Sequence, residues 1–106
     1  MPMLAAVLIA QSPAETKAEA LAGLYGETLG AASECPALSQ ERLAAVAQKA
    51  SARVKSTARN PAEADAAGTR LADGIARGRR EIVSGRETCA QAESELDDLG
   101  HELGPE

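Results

Sequence analysis

Glu93, Asp97 and His101 stand at i, i+4 and i+8 in the last fifth of this 106-residue chain; Asp98 and Glu102 form a second i, i+4 pair, and Glu95 precedes Asp98 by three. On a helix such spacings bring side chains to within ~6 Å, where carboxylates repel unless a cation sits among them. Hard cations, Ca²⁺ or a trivalent lanthanide, take oxygen ligands in flexible geometry, so Glu93, Asp97, Asp98, His101 and Glu102 form a candidate metal set. His101 adds a nitrogen, but zinc would want more His or Cys. The competing reading is a solvated acidic face that complements the arginine-rich middle of the chain, and charge runs more often have that role. The Asp-x-Asp-x-Asp-Gly pattern of an EF-hand loop is absent.

Cys35 and Cys89 are the second chemical pair. CxxC spacing is missing, which argues against zinc and thioredoxin-like chemistry. In a short chain with a weak core, a Cys35–Cys89 disulfide is the sharper reading, against two free thiols. Catalysis has little to work with. His101 is the only histidine and lies near the C-terminal end; neither cysteine has a histidine beside it in sequence. The expectation is a protein that is not an enzyme. Arg77, Arg79, Arg80 and Arg86 form a basic cluster whose simplest use is an ion-pair set with the acidic last helix.

The compartment follows from the start of the chain. Residues 3–10 are an uncharged apolar run, and Ser12, Pro13 and Ala14 offer small residues for a cleavage site. The run is too short to span a bilayer and has the length of a signal-peptide core, although no Lys or Arg precedes Lys17. Residues 1–14 are therefore expected to be a signal-peptide-like leader and residues 15–106 a helical domain, periplasmic or secreted.

Composition sets the architecture. There are 24 alanines, one aromatic residue (Tyr25) and a net charge of −5. Residues 1–38 carry −3, residues 39–86 carry +5 and residues 87–106 carry −7. An acidic total with no stacking platform argues against nucleic acid. No segment alternates with period two, so strands are not expected.

Four helices are expected. The first opens at Ser12-Pro13-Ala14-Glu15, shows Ala18, Leu21, Leu24, Tyr25 and Leu29 on one face, and ends between Gly30 and Cys35-Pro36. Tyr25 belongs to its core stripe. The second runs from Ser39 to Asn60-Pro61, with Leu43, Val46, Ala47, Ala50, Val54 and Ala58 inward. Asn60 then caps a third helix bearing Ala64, Ala67, Leu71, Ile75 and Ile82, where Gly74 and Gly78 admit another helix closely. The fourth is expected to open at Ser84-Gly85-Arg86-Glu87 and to carry a heptad seam of Cys89, Ala92, Leu96, Leu99 and Leu103.

Short connections imply a small antiparallel up-down-up-down four-helix bundle, all-α and disulfide-stapled, with both cysteines at one end. In that arrangement reduction would loosen the last helix and spare a hairpin of the second and third. The alanine, glycine and arginine usage resembles that of small secreted two-cysteine helical proteins, and the acidic helix that of small periplasmic metal-carrier proteins; no motif carries over residue by residue. Two functions are expected from these features: a structural or protein-interaction module of the cell envelope with an unknown protein partner, or a periplasmic carrier of Ca²⁺ or a lanthanide.

Overall fold

Helix boundaries in this chain are set by side-chain caps, and the computed structural model, which describes residues 14–104, shows each of them. Helix α1 spans Lys17–Ser33, α2 Gln40–Thr57, α3 Pro61–Val83 and α4 Cys89–Leu103. Ser39 accepts from the Arg42 amide and Asn60 from the Glu63 amide, as their positions predicted. Two starts differ from expectation. Helix α1 begins not at Ser12 but at Thr16, which forms a reciprocal capping box with Glu19; Glu15 is left outside the helix, where it pairs with Arg70 of α3. Helix α4 begins at Thr88, boxed with Gln91, and Ser84-Gly85 is instead the exit of α3. Gly85 takes φ +82°, the left-handed conformation with which glycine ends helices. Residues 1–13, and with them almost all of the expected leader, lie outside the described residues.

The all-helical fold and the staple are present. Cys35 and Cys89 form a disulfide with their Cα atoms 5.6 Å apart, inside the usual range for such a bridge. Cys35 is buried in the α1–α2 connection, and Cys89 is the first residue of α4.

Which helices touch was not what the connections suggested. Helix α2 barely meets α3, although only three residues join them; α3 lies along α1, and α1 also packs on α2 and α4. The cause is glycine. Gly26 and Gly30 of α1 face Gly74 and Gly78 of α3 so closely that a Cβ on Gly26 would fall 2.5 Å from the Leu71 carbonyl oxygen, and one on Gly74 2.7 Å from that of Gly23. Gly30 is thus a crossing point, not the end of a helix. Contacts rise together along both helices, Gly74 against Gly23 and Gly26, Gly78 against Glu27 and Ala31, so the two run in the same direction. Because the backbones meet at glycine, Leu71 and Ile75 are only half-buried.

The core is otherwise alanine-rich. Ala22, Ala31, Ala50, Ala67 and Ala92 are fully enclosed, Leu96 is the largest fully buried side chain, and Tyr25 is 3% exposed. Most of the α4 seam holds: Ala92, Leu96 and Leu99 are buried and Leu103 packs at the margin, while Cys89, at its start, is exposed. No helix among the described residues is long and apolar enough to cross a membrane.

Candidate functional site

The seam that buries α4 also divides its acids. At 100° per residue, Ala92, Leu96, Leu99 and Leu103 point inward, Glu93, Asp97 and His101 fall on one flank, and Glu95, Asp98 and Glu102 on the other. The expected set of Glu93, Asp97, Asp98, His101 and Glu102 therefore spreads over about half the helix circumference. Among the described residues, no three His, Cys, Asp or Glu side chains come together closely enough to hold a metal ion.

The first flank faces α2. Asp97 forms an ion pair with Arg42, and the Lys49 ammonium donates to the Gly104 carbonyl at 3.0 Å. The Nδ1 of His101 lies 2.8 Å from the Asp97 carbonyl oxygen; a carbonyl only accepts, so Nδ1 carries the proton. The cation beside Asp97 is thus a protein side chain.

The arginines of α3 behave differently from expectation. Arg70, Arg77 and Arg79 pair with α1 and the residues flanking it, not with the acidic last helix. Arg70 pairs with Glu15, Arg77 reaches Glu27 at 2.6 Å, and Arg79 reaches Glu34 at 2.8 Å. Arg86 turns to Glu81 within its own segment. These are exposed pairs, each worth well under about 1 kcal/mol, and they follow from the side-by-side course of α1 and α3.

The second flank faces α1. Glu95, Asp98 and Glu102 border a groove whose other wall includes Leu21, Leu24 and Tyr25. The Tyr25 hydroxyl is buried next to the Arg53 guanidinium. Burial pushes its ionisation up, Glu102 adds to that, and the Arg53 guanidinium opposes it through its charge and a hydrogen bond. This pairing of a core tyrosine with the acids of α4 was missed by sequence reasoning. The only trace of it in the sequence is the i, i+3, i+7 spacing of Glu95, Asp98 and Glu102.

A second unforeseen group lies in the α3–α4 connection. The carboxyl of Glu87 is raised to about 7, first by burial, then by Glu95 beside it and by Glu81 and Glu27. One of its oxygens, Oε2, is buried without a partner. The folded state therefore holds this proton to higher pH than the unfolded chain, where a glutamate titrates near ~4.3. Its stabilising contribution is complete below that value and is lost as pH rises to about 7. Wild-type protein is expected to lose melting temperature relative to Glu87→Gln between pH 5 and pH 8. Allowing for the partial exposure of the site, the difference is about 1 kcal/mol, or about 4–8 °C. Parallel pH dependences of the two proteins in thermal unfolding would show that Glu87 does not hold the proton.

No family model matches the chain, and neither does any curated protein or solved structure.

Proposed function

We propose that this is a small exported protein, periplasmic or secreted, acting as a structural or protein-interaction module. The Cys35–Cys89 disulfide carries the reading. Such bonds persist in oxidising compartments and are rare where glutathione keeps thiols reduced. An alanine-rich core with one aromatic residue also gains most from a staple. The apolar run at residues 3–10 supports export independently. An interaction role draws support from the exposure of two large apolar side chains, Leu24 at 65% and Val83 at 75%. The metal-carrier alternative has less support, since the acids of α4 stand on two flanks and Asp97 already has Arg42.

Thiol trapping in intact cells tests the reading. Cells of the native host are quenched in acid and alkylated with a mass-tagged maleimide before and after reduction, then fractionated. The expected result is no tag before reduction, two tags after it, and recovery outside the cytoplasm. Two tags before reduction together with a cytoplasmic location would overturn the proposal.

A further inference from the structure

The two cysteines of the staple stand in different surroundings. Cys35 is 2% exposed and belongs to the buried core with Ala31, Ala32 and Leu38. Its backbone is held on both sides: the Cys35 amide donates to the Ala32 carbonyl at 3.0 Å, and its carbonyl accepts from the Leu38 amide at 3.1 Å. Cys89 is an exposed residue at the first position of α4, and its neighbours Thr88, Ala90 and Gln91 are exposed with it.

A disulfide is opened by a thiolate that attacks one of its two sulfurs, so the outcome depends on which sulfur the attacker can reach and on how readily the other departs. The two effects oppose each other here. Access favours attack at Cys89. Departure is slowed in that case, because the leaving sulfur, Cys35, stays in a buried place. Access decides. Attack at Cys35 first requires the α1–α2 connection to open, which gives up both backbone hydrogen bonds and the burial of the residue. A departing Cys35 sulfur needs only one proton.

We propose that Cys89 is a thiolation site, where a small external thiol forms a mixed disulfide while Cys35 remains in the core as the free thiol. The thiolate sulfur bonds to Cys89 Sγ as the Cys35–Cys89 bond breaks. The electron pair of that bond leaves on Cys35 Sγ, which takes a proton from water. A second thiol attacking the mixed disulfide frees Cys89, so that two external thiols are oxidised to one disulfide and the staple is reduced to two thiols. Attachment at Cys89 releases α4 from the α1–α2 connection without bringing the adduct into the core.

Export and compartment play no part in the test, which uses purified, oxidised full-length chain and glutathione as the probe. The reaction is quenched in acid, free thiols are alkylated with N-ethylmaleimide, and a peptic digest at acid pH is mapped by mass spectrometry. Glutathione is expected on Cys89 and maleimide on Cys35. The opposite arrangement should be at least about tenfold rarer, a ratio that an opening free energy of about 1.4 kcal/mol already gives. In strong denaturant the two arrangements should become comparable, since the bias comes from the fold. Glutathione mainly on Cys35, equal adducts in the native protein, no adduct on either residue, or a bias that persists in denaturant would each overturn the proposal.

A second measurement reads the fit of the adduct itself. Cys35→Ser and Cys89→Ser each keep one cysteine, to which glutathione is attached in denaturant before refolding. The adduct on Cys89 should leave the melting temperature of Cys35→Ser nearly unchanged. The adduct on Cys35 should lower that of Cys89→Ser by at least about 4–8 °C, because it overfills a buried position. Equal shifts in the two variants would also count against a site at Cys89.

Discussion

Replacing Gly30 or Gly78 with alanine is expected to be among the most damaging single changes in this protein, although alanine is the better helix former at an ordinary position. A Cβ on Gly30 would lie 2.7 Å from the carbonyl carbon of Ile75, and one on Gly78 2.8 Å from the amide nitrogen of Ala31. Both obstacles are backbone, so no rotamer change relieves them and the two helices must separate. Overpacking a well-packed core costs about 1–3 kcal/mol, occasionally more, and a rigid backbone obstacle belongs at the upper end. The helix-propensity gain of about 1 kcal/mol offsets only part of that. The double variant Gly30→Ala, Gly78→Ala should therefore lose a large share of a total stability on the order of 5–15 kcal/mol.

The same helices contain their own controls. A Cβ on Gly23 or Gly68 would meet nothing within 4 Å. Alanine at either position should stabilise by about 0.5–1 kcal/mol. Chemical denaturation of the four single variants measures all of this in one series. Shifts of the same sign at all four positions would show that the close approach of α1 and α3 does not govern stability.

That crossing also shows how far the sequence could be read. Helix α4 was legible because its seam, Ala92, Leu96, Leu99 and Leu103, is local information: spacing alone decides which face is apolar. The caps at Ser39 and Asn60 were legible for the same reason. The cysteines were legible because a small, alanine-rich core leaves few other uses for two of them. The pairing of α1 with α3 is different. Gly74 and Gly78 announce that some helix comes close, and Gly26 and Gly30 carry the matching four-residue spacing, but Gly30 also stands where a helix could end. Two roles of one residue type competed, and tertiary packing decided between them.

Ser84-Gly85 posed the same problem in reverse, with a start signal and a stop signal overlapping. Ion-pair partners followed the misplaced neighbour. Once α3 lies on α1, its arginines meet Glu15, Glu27 and Glu34 rather than the acids of α4. The expected metal set does not come together among the described residues for a finer reason: i, i+4 spacing joins Asp97 to His101 and Asp98 to Glu102, but consecutive residues stand 100° apart, so the two pairs do not share a face. Spacing alone did not reveal the Tyr25 groove or the Glu87 carboxyl, since each is assembled from residues of separate helices or the segments joining them.

Reduction of the disulfide is the second expected large effect, and the arrangement of the helices now says where it falls. The bond closes a separation of 54 residues, for which the chain-entropy account gives a stabilisation of about 4 kcal/mol. In a domain of this size that corresponds to a fall in melting temperature of about 15–30 °C. The loss should not be uniform. Helix α3 has its main contact with α1 through the glycine crossing, which the disulfide does not span. Helix α4 is held by the bond at its first residue, by the Leu96–Leu99 seam, and by the exposed pairing of Asp97 with Arg42. Once the bond is gone, α4 has the fewest remaining restraints per residue, and α2, which rests on α1 and α4, loses part of its support. The unit expected to persist is therefore the α1–α3 pair and not a hairpin of α2 and α3, which hardly touch. Hydrogen exchange on the oxidised and reduced protein, read amide by amide, measures this. Protection should fall first in Cys89–Leu103 and last at the facing turns around Gly26 and Gly74. An equal loss of protection in all four helices would mean that the bundle opens as one cooperative unit, with the bond acting on the whole and not on α4.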